Sequence, residues 1–122
     1  MLKLSRKSDR RNIVAGRRTF FAGCKTFMER RFFEAQNEAE LFIDVLRTNT
    51  LAGKFKLHDF VVMPDHFHVL LTVYGNTSIE RAIRLIKGGY SFRRNTELGL
   101  AGDLAAGIFR NPCPRPEELS GA

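Results

Sequence analysis

His66 and His68 are the residues of this chain best placed to do chemistry. They stand in the run Met63-Pro64-Asp65-His66-Phe67-His68-Val69-Leu70-Leu71-Thr72. The residues after Asp65 favour a β-strand, where positions i and i+2 point to the same face. Two imidazoles would then project side by side and could share one divalent ion. Imidazole ligates such ions through a neutral nitrogen, which is available near pH 7. Two histidines leave an octahedral shell unfilled, so water, phosphate oxygens and a third polar side chain must complete it. A bare His-x-His pair has a plainer alternative, as two half-exposed strand residues. His58 sits in the preceding apolar run, either as an ordinary strand histidine or close to the pair. Asp65 and Asp59 have the same two alternatives, turn or strand residue against ligand or ligand support.

The elements that must hold this pair are legible around it. Phe55 to Val62 reads as a strand, Met63-Pro64-Asp65 as a short turn, and His66 to about Val73 as its antiparallel partner. Upstream, Thr19 to Phe27 is aromatic and β-branched and reads as a first strand. Residues 28–36 read as a loop, in which Phe32 and Phe33 either stack on bases or pack over the sheet. Asn37 with Glu40 forms a capping-box pattern, and Leu41, Phe42, Val45 and Leu46 follow at helical spacing to a stop at Gly53. Ser78 caps a second helix, on which Ile79, Ala82, Ile83, Ile86 and Tyr90 recur on one face. Arg81, Arg84, Lys87, Ser91 and Arg94 fall mostly on the other. Gly88-Gly89 permits a kink or a close backbone approach to a phosphate. The order strand, helix, strand, strand, helix predicts an α+β fold, an antiparallel sheet covered by helices on one face. A weak last strand falls within 100–110.

Charge narrows the partners. The chain has 122 residues, 20 Lys and Arg against 13 Asp and Glu, and a formal net charge of +7. That length suits one domain. The balance favours a polyanion, nucleic acid first, because cations gain affinity by displacing counterions from phosphates. No apolar run approaches the roughly 20 residues of a spanning helix, and the basic N-terminus lacks a signal-peptide core. A cytoplasmic protein without a membrane partner is expected. Residues 1–18 read as a basic, flexible arm with Arg17 and Arg18 at its end, 19–110 as the single domain, and 111–122 as an irregular Pro-rich tail. Cys24 and Cys113 match no zinc spacing, and reduced thiols are expected.

Met63 to Leu71, the apolar strand before it, and the later helix carrying Lys87-Gly88-Gly89-Tyr90 together resemble the single-tyrosine HUH transposases. These are the small bacterial insertion-sequence and REP-associated transposases. The resemblance covers roughly residues 10–98, and Met-Pro-Asp-His-Phe-His is its most specific part. It implies an RRM-like or ferredoxin-like sheet and cleavage and rejoining of single-stranded DNA beside a hairpin. It also implies a 5′-phosphotyrosine intermediate, Mg²⁺ or Mn²⁺ on His66 and His68, and a homodimer. DNA contacts are expected from Arg17, Arg18, Arg81, Arg84, Lys87, Arg93 and Arg94.

The chain departs from that pattern after the second helix. Family members carry the nucleophile and often a third metal ligand on a later helix, in a segment resembling Tyr-Ile followed by Asn-Pro. Here the only tyrosines are Tyr74 and Tyr90, and Asn111-Pro112 follows Phe109-Arg110 instead. The pattern reads as a copy truncated or frameshifted near residue 100. Tyr90, alone on a helix near the motif, is the candidate nucleophile, with a core ring beside Ile83 and Ile86 as its alternative role. Two functions remain open, an active DNA strand transferase and a decayed transposase that only binds DNA. A metal-dependent hydrolase of another class ranks below both.

Overall fold

A computed structural model describes residues 17–75, 77–99, 107–110 and 112–119. β1 spans Arg18–Lys25, α1 Gln36–Leu51, β2 Lys56–Met63, β3 His66–Val73, α2 Ile79–Leu98 and β4 Glu117–Leu119. Two short 3₁₀ turns, Phe27–Glu29 and Phe32–Glu34, fill the expected loop before α1. The strands form one antiparallel sheet in the order β2-β3-β1-β4. Both helices lie on one side of it, as the strand and helix order predicts.

Alternation along the strands decides which side is which. Phe20, Ala22 and Cys24 of β1 and Phe67, Val69, Leu71 and Val73 of β3 are buried. They meet Leu41, Phe42, Val45 and Leu46 of α1 and Ile79, Ala82, Ile83, Ile86 and Tyr90 of α2 in one core. Full burial of a ring such as Phe42 or Phe67 stabilises the fold by about 1.5–3 kcal/mol. The intervening residues, among them Phe21, Gly23, Lys25, His66 and His68, occupy the opposite, helix-free face.

The helices hold two local surprises. Asn37 is not the cap of α1: Ala35 is, without a side-chain bond, and Gln36 instead reaches Glu40 at 2.9 Å. Ser78 does cap α2, accepting from the Arg81 N–H at 3.0 Å. Gly88-Gly89 leaves α2 unbroken. A side chain at Gly89 would begin 3.0 Å from Val45 Cγ1, so this glycine lets α2 approach α1 closely.

The C-terminal segment returns to β1. Phe109 bridges Thr26, the Phe27 N–H donates to the Ile108 carbonyl, and the Arg110 N–H donates to the Lys25 carbonyl. This brings Cys113 beside Cys24, and the two form a disulfide with Cα atoms 5.0 Å apart, against the expectation of reduced thiols. The last strand lies at Glu117–Leu119, inside the stretch expected to be irregular, and not within 100–110. It forms because β1 offers an unpaired edge, with Glu117 opposite Phe21 and Leu119 opposite Thr19. Residues 1–16 of the expected arm and 100–106 lie outside the described residues.

Candidate metal and nucleic-acid site

The turn before His66 is tied down before the histidines begin. Thr26 is fully buried; its N–H donates to the Asp65 carbonyl at 2.9 Å and its hydroxyl to the Arg30 carbonyl at 2.6 Å. The Phe33 N–H donates to the Pro64 carbonyl at 3.0 Å. His66 and His68 then project from β3 on the helix-free face, opposite Lys25 and Gly23 of β1, with ring centroids 5.3 Å apart.

The two rings are held differently. His66 Nδ1 lies 2.8 Å from Asp65 Oδ1. In a neutral ring that bond places the proton on Nδ1 and leaves the Nε2 lone pair for a ligand, the usual support of a metal-binding histidine. The same bond holds the Asp65 carboxyl below the ordinary aspartate range. His68 Nδ1 is buried without a hydrogen-bond partner, against Gly23. Burial, and then the neighbouring His66, lower the His68 pKa and keep that ring neutral. The pair thus offers a divalent ion two imidazole donors on one strand face, with His68 kept neutral. No group of three His, Cys, Asp or Glu among the described residues is placed to hold one.

A cavity of about 260 Å³ opens beside the pair, bordered by Phe21, Gly23, Lys25 and, from the returning segment, Pro114, Arg115 and Glu117. The C-terminal wall went unread because nothing local marks a charged Glu-Glu-Leu run as a strand. Phe21 was missed although strict alternation in β1 already separates it from Phe20 and Ala22. A second cavity of about 710 Å³ lies between β1, α2 and the same returning segment, bordered by Arg84, Lys87, Gly88 and Ser91. Burial pushes the Lys87 ammonium below its ordinary range. Ala22, Gly23 and Pro114 border both cavities.

The other sequence-predicted residues scatter. Tyr90 is fully buried on the helix side, the face opposite the histidines. Its hydroxyl donates to Glu38 Oε1 at 2.7 Å, and burial with that carboxylate raises its pKa far above the ordinary tyrosine value. The phenol is thus neutral and enclosed in the core, as its spacing from Ile83 and Ile86 allowed. Arg94 is buried as well, paired with the same Glu38 oxygen at 2.5 Å and stacked over Phe32 at 4.8 Å. It is a core cation in this fold, turned away from the exposed face of α2 on which it was expected. Arg93 bridges Asp44 and Glu97 at 2.8 and 2.6 Å. Arg18 pairs with Glu118 at 2.7 Å, and Arg17 lies 5.2 Å over the Tyr74 ring. Arg81 and Arg84 are exposed on α2. His58 stands toward the far end of the sheet, 2.7 Å from Thr72 Oγ1, and does not join the pair. Asp59 accepts from the Phe60 N–H at 2.8 Å. Phe33 packs on Phe42 and Tyr90 in the core.

The model of the family described as Transposase IS200 like matches residues 25–102. This chain belongs to that family. The match spans α1, the histidine hairpin and α2, which are the elements that build the site. Two solved structures share the fold. One is a Deinococcus radiodurans R1 protein described as a transposase, with TM-score 0.67 and 20% identity over 99% of this chain and 87% of that one. The other is a REP-associated tyrosine transposase bound to a REP hairpin, with TM-score 0.53 and 20% identity over 98% of this chain and 61% of that one. No curated protein matches. The family generally depends on divalent metal. No helix among the described residues is long and apolar enough to cross a membrane.

Proposed function

We propose that this IS200-like transposase chain binds single-stranded or hairpin DNA, with the strand running past His66 and His68 on the helix-free sheet face. The observation that carries this reading is the pair itself: two imidazoles on one strand, one fixed by Asp65, beside a cavity of about 260 Å³. His66 and His68 would hold Mg²⁺ or Mn²⁺ through Nε2. When bound, such an ion polarises a phosphoryl oxygen and stabilises charge that builds on it. Asp65 orients His66, and Lys25 and Arg115 bring positive charge to the same cavity. On the other side of β1, Arg84 and Lys87 border the larger cavity, with Arg81 exposed on the same helix. A strand passing around residues 112–117 would touch both cavities.

Complete strand transfer adds a tyrosine oxygen that attacks the phosphorus, displaces the 3′-oxygen and keeps the 5′-phosphate as an ester. Tyr90 sits on the wrong face for that step, and Tyr74 lies under Arg17 beyond the end of β3. Those placements favour the binding reading over strand transfer by this chain alone. The test is an end-labelled pool of single-stranded hairpins with Mn²⁺, run on native and denaturing gels. Shifted native bands with no covalent adduct are expected. An adduct lost in Tyr90→Phe would overturn the reading, whereas an adduct that survives in Tyr90→Phe would restore strand transfer through another group. The homodimer belongs to this proposal too, and sedimentation of the DNA complex checks it.

The cationic side has its own expected result. Arg81→Ala combined with Arg84→Ala lowers affinity for all hairpins alike and reduces the slope of log K against log salt by about 2, because each lost phosphate contact releases roughly one counterion fewer. A slope equal to wild type would move the DNA path off α2.

A further inference from the structure

We propose that Phe21 and Gly23 of β1 are positioning residues for His68, which they hold by packing alone. The proposal rests on the reading of His66 and His68 as a metal pair. His66 has a carboxylate to fix its ring, at 2.8 Å on Nδ1. His68 has nothing equivalent: its Nδ1 is buried and without a hydrogen-bond partner. A ring that gives up a polar contact loses stability, so its orientation must be set by shape.

Two contacts set it. Gly23 stands directly opposite His68 in the β1–β3 register. A Cβ built on Gly23 would overlap His68 Nδ1 and the Phe67 carbonyl oxygen. The imidazole edge therefore occupies the space that any other residue would fill with its side chain. Phe21, two positions along the same face, lies against the imidazole with centroids 5.1 Å apart and planes at 11°. It remains 43% exposed, an apolar ring outside the core that nevertheless stacks on a ligand. Gly23 limits how far the ring can sink, and Phe21 limits how far it can rotate. Between them Nδ1 stays inward, and Nε2 is the nitrogen left to face the cavity.

The division of labour is specific. Asp65 orients one histidine through a hydrogen bond, and β1 orients the other through a stack and a missing side chain. Loss of Phe21 should therefore disturb His68 and leave His66 in place. Tryptophan at 21 keeps an aromatic plane and should rescue it.

The experiment titrates Mn²⁺ by calorimetry into wild type, Phe21→Ala, Phe21→Trp and Gly23→Ala, and records imidazole ¹⁵N–¹H spectra of each metal-free protein. Phe21→Ala is expected to weaken Mn²⁺ binding about tenfold, the size of effect that follows loss of a ligand's support. It should also shift the His68 ring resonances while those of His66 stay put, and Phe21→Trp should return both readouts close to wild type. Gly23→Ala should do more damage than Phe21→Ala; if it fails to fold, the Phe21 pair decides alone. Unchanged His68 resonances in Phe21→Ala overturn the positioning proposal whether or not metal binds. Absence of Mn²⁺ binding in wild type, with His68 still shifted in Phe21→Ala, overturns the metal reading and leaves the packing role intact.

Discussion

Arg94→Ala is expected to remove about 3–5 kcal/mol of folding stability, enough to threaten a domain of this size. Arg94 and Glu38 are both more than nine-tenths buried, and one Glu38 oxygen receives the Arg94 Nε at 2.5 Å and the Tyr90 hydroxyl at 2.7 Å. Removing the guanidinium leaves a carboxylate in the core with a phenol in place of its counter-ion. It also strips the cation from the face of Phe32. Tyr90→Phe removes one hydrogen bond to a charged group and should cost about 1.5–3 kcal/mol. The single variants and the double variant, followed by urea unfolding, should be strongly non-additive, since both donors share one oxygen. A loss below about 1 kcal/mol in Arg94→Ala would show that water reaches Glu38 and that the triad is not closed.

The second large effect concerns the metal. His66→Ala and His68→Ala should each weaken Mn²⁺ binding by roughly two orders of magnitude, because one remaining imidazole is a poor site. Stability should change by less than about 1 kcal/mol, as for other substitutions outside the core. Both rings are half-buried on the helix-free face, whereas Phe67 between them is fully buried against Phe42 and Phe109. Phe67→Ala is the matching control: it should cost about 3–5 kcal/mol and reach metal binding only through unfolding. Equal Mn²⁺ affinity in wild type and both histidine variants, by calorimetry, would remove the metal from the site.

The histidine hairpin was legible because period-two patterning is strong there. His66 and His68 alternate with Phe67, Val69 and Leu71, and a Pro-Asp turn fixes where the strand starts. Ser78 and the spacing of Ile79, Ile83, Ile86 and Tyr90 carried α2 in the same way. Arg94 shows the limit of that pattern. It lies four residues after Tyr90, hence on the same inward stripe, but its charge placed it among the surface cations. Only the buried Glu38, 56 residues earlier in the chain, makes an inward arginine tolerable. The returning segment was illegible for a related reason. Glu117–Leu119 has little strand preference of its own, and the pairing of Cys24 with Cys113 spans 89 residues. Long-range partners decided all three, and no local window contains them.

The knot at Thr26 has a kinetic consequence. β2 and β3 are joined by a two-residue turn, and hairpins of this kind close in about 1–10 μs. Thr26 reaches the Asp65 carbonyl from 39 residues away, so that bond waits for a long loop to close against chain entropy. The hairpin thus acquires its histidines early and their wall late. Hydrogen-exchange protection during refolding should appear in the β2–β3 hairpin before it appears at Thr26. A nascent or partly opened chain would then carry both imidazoles before β1 and the returning segment wall them in.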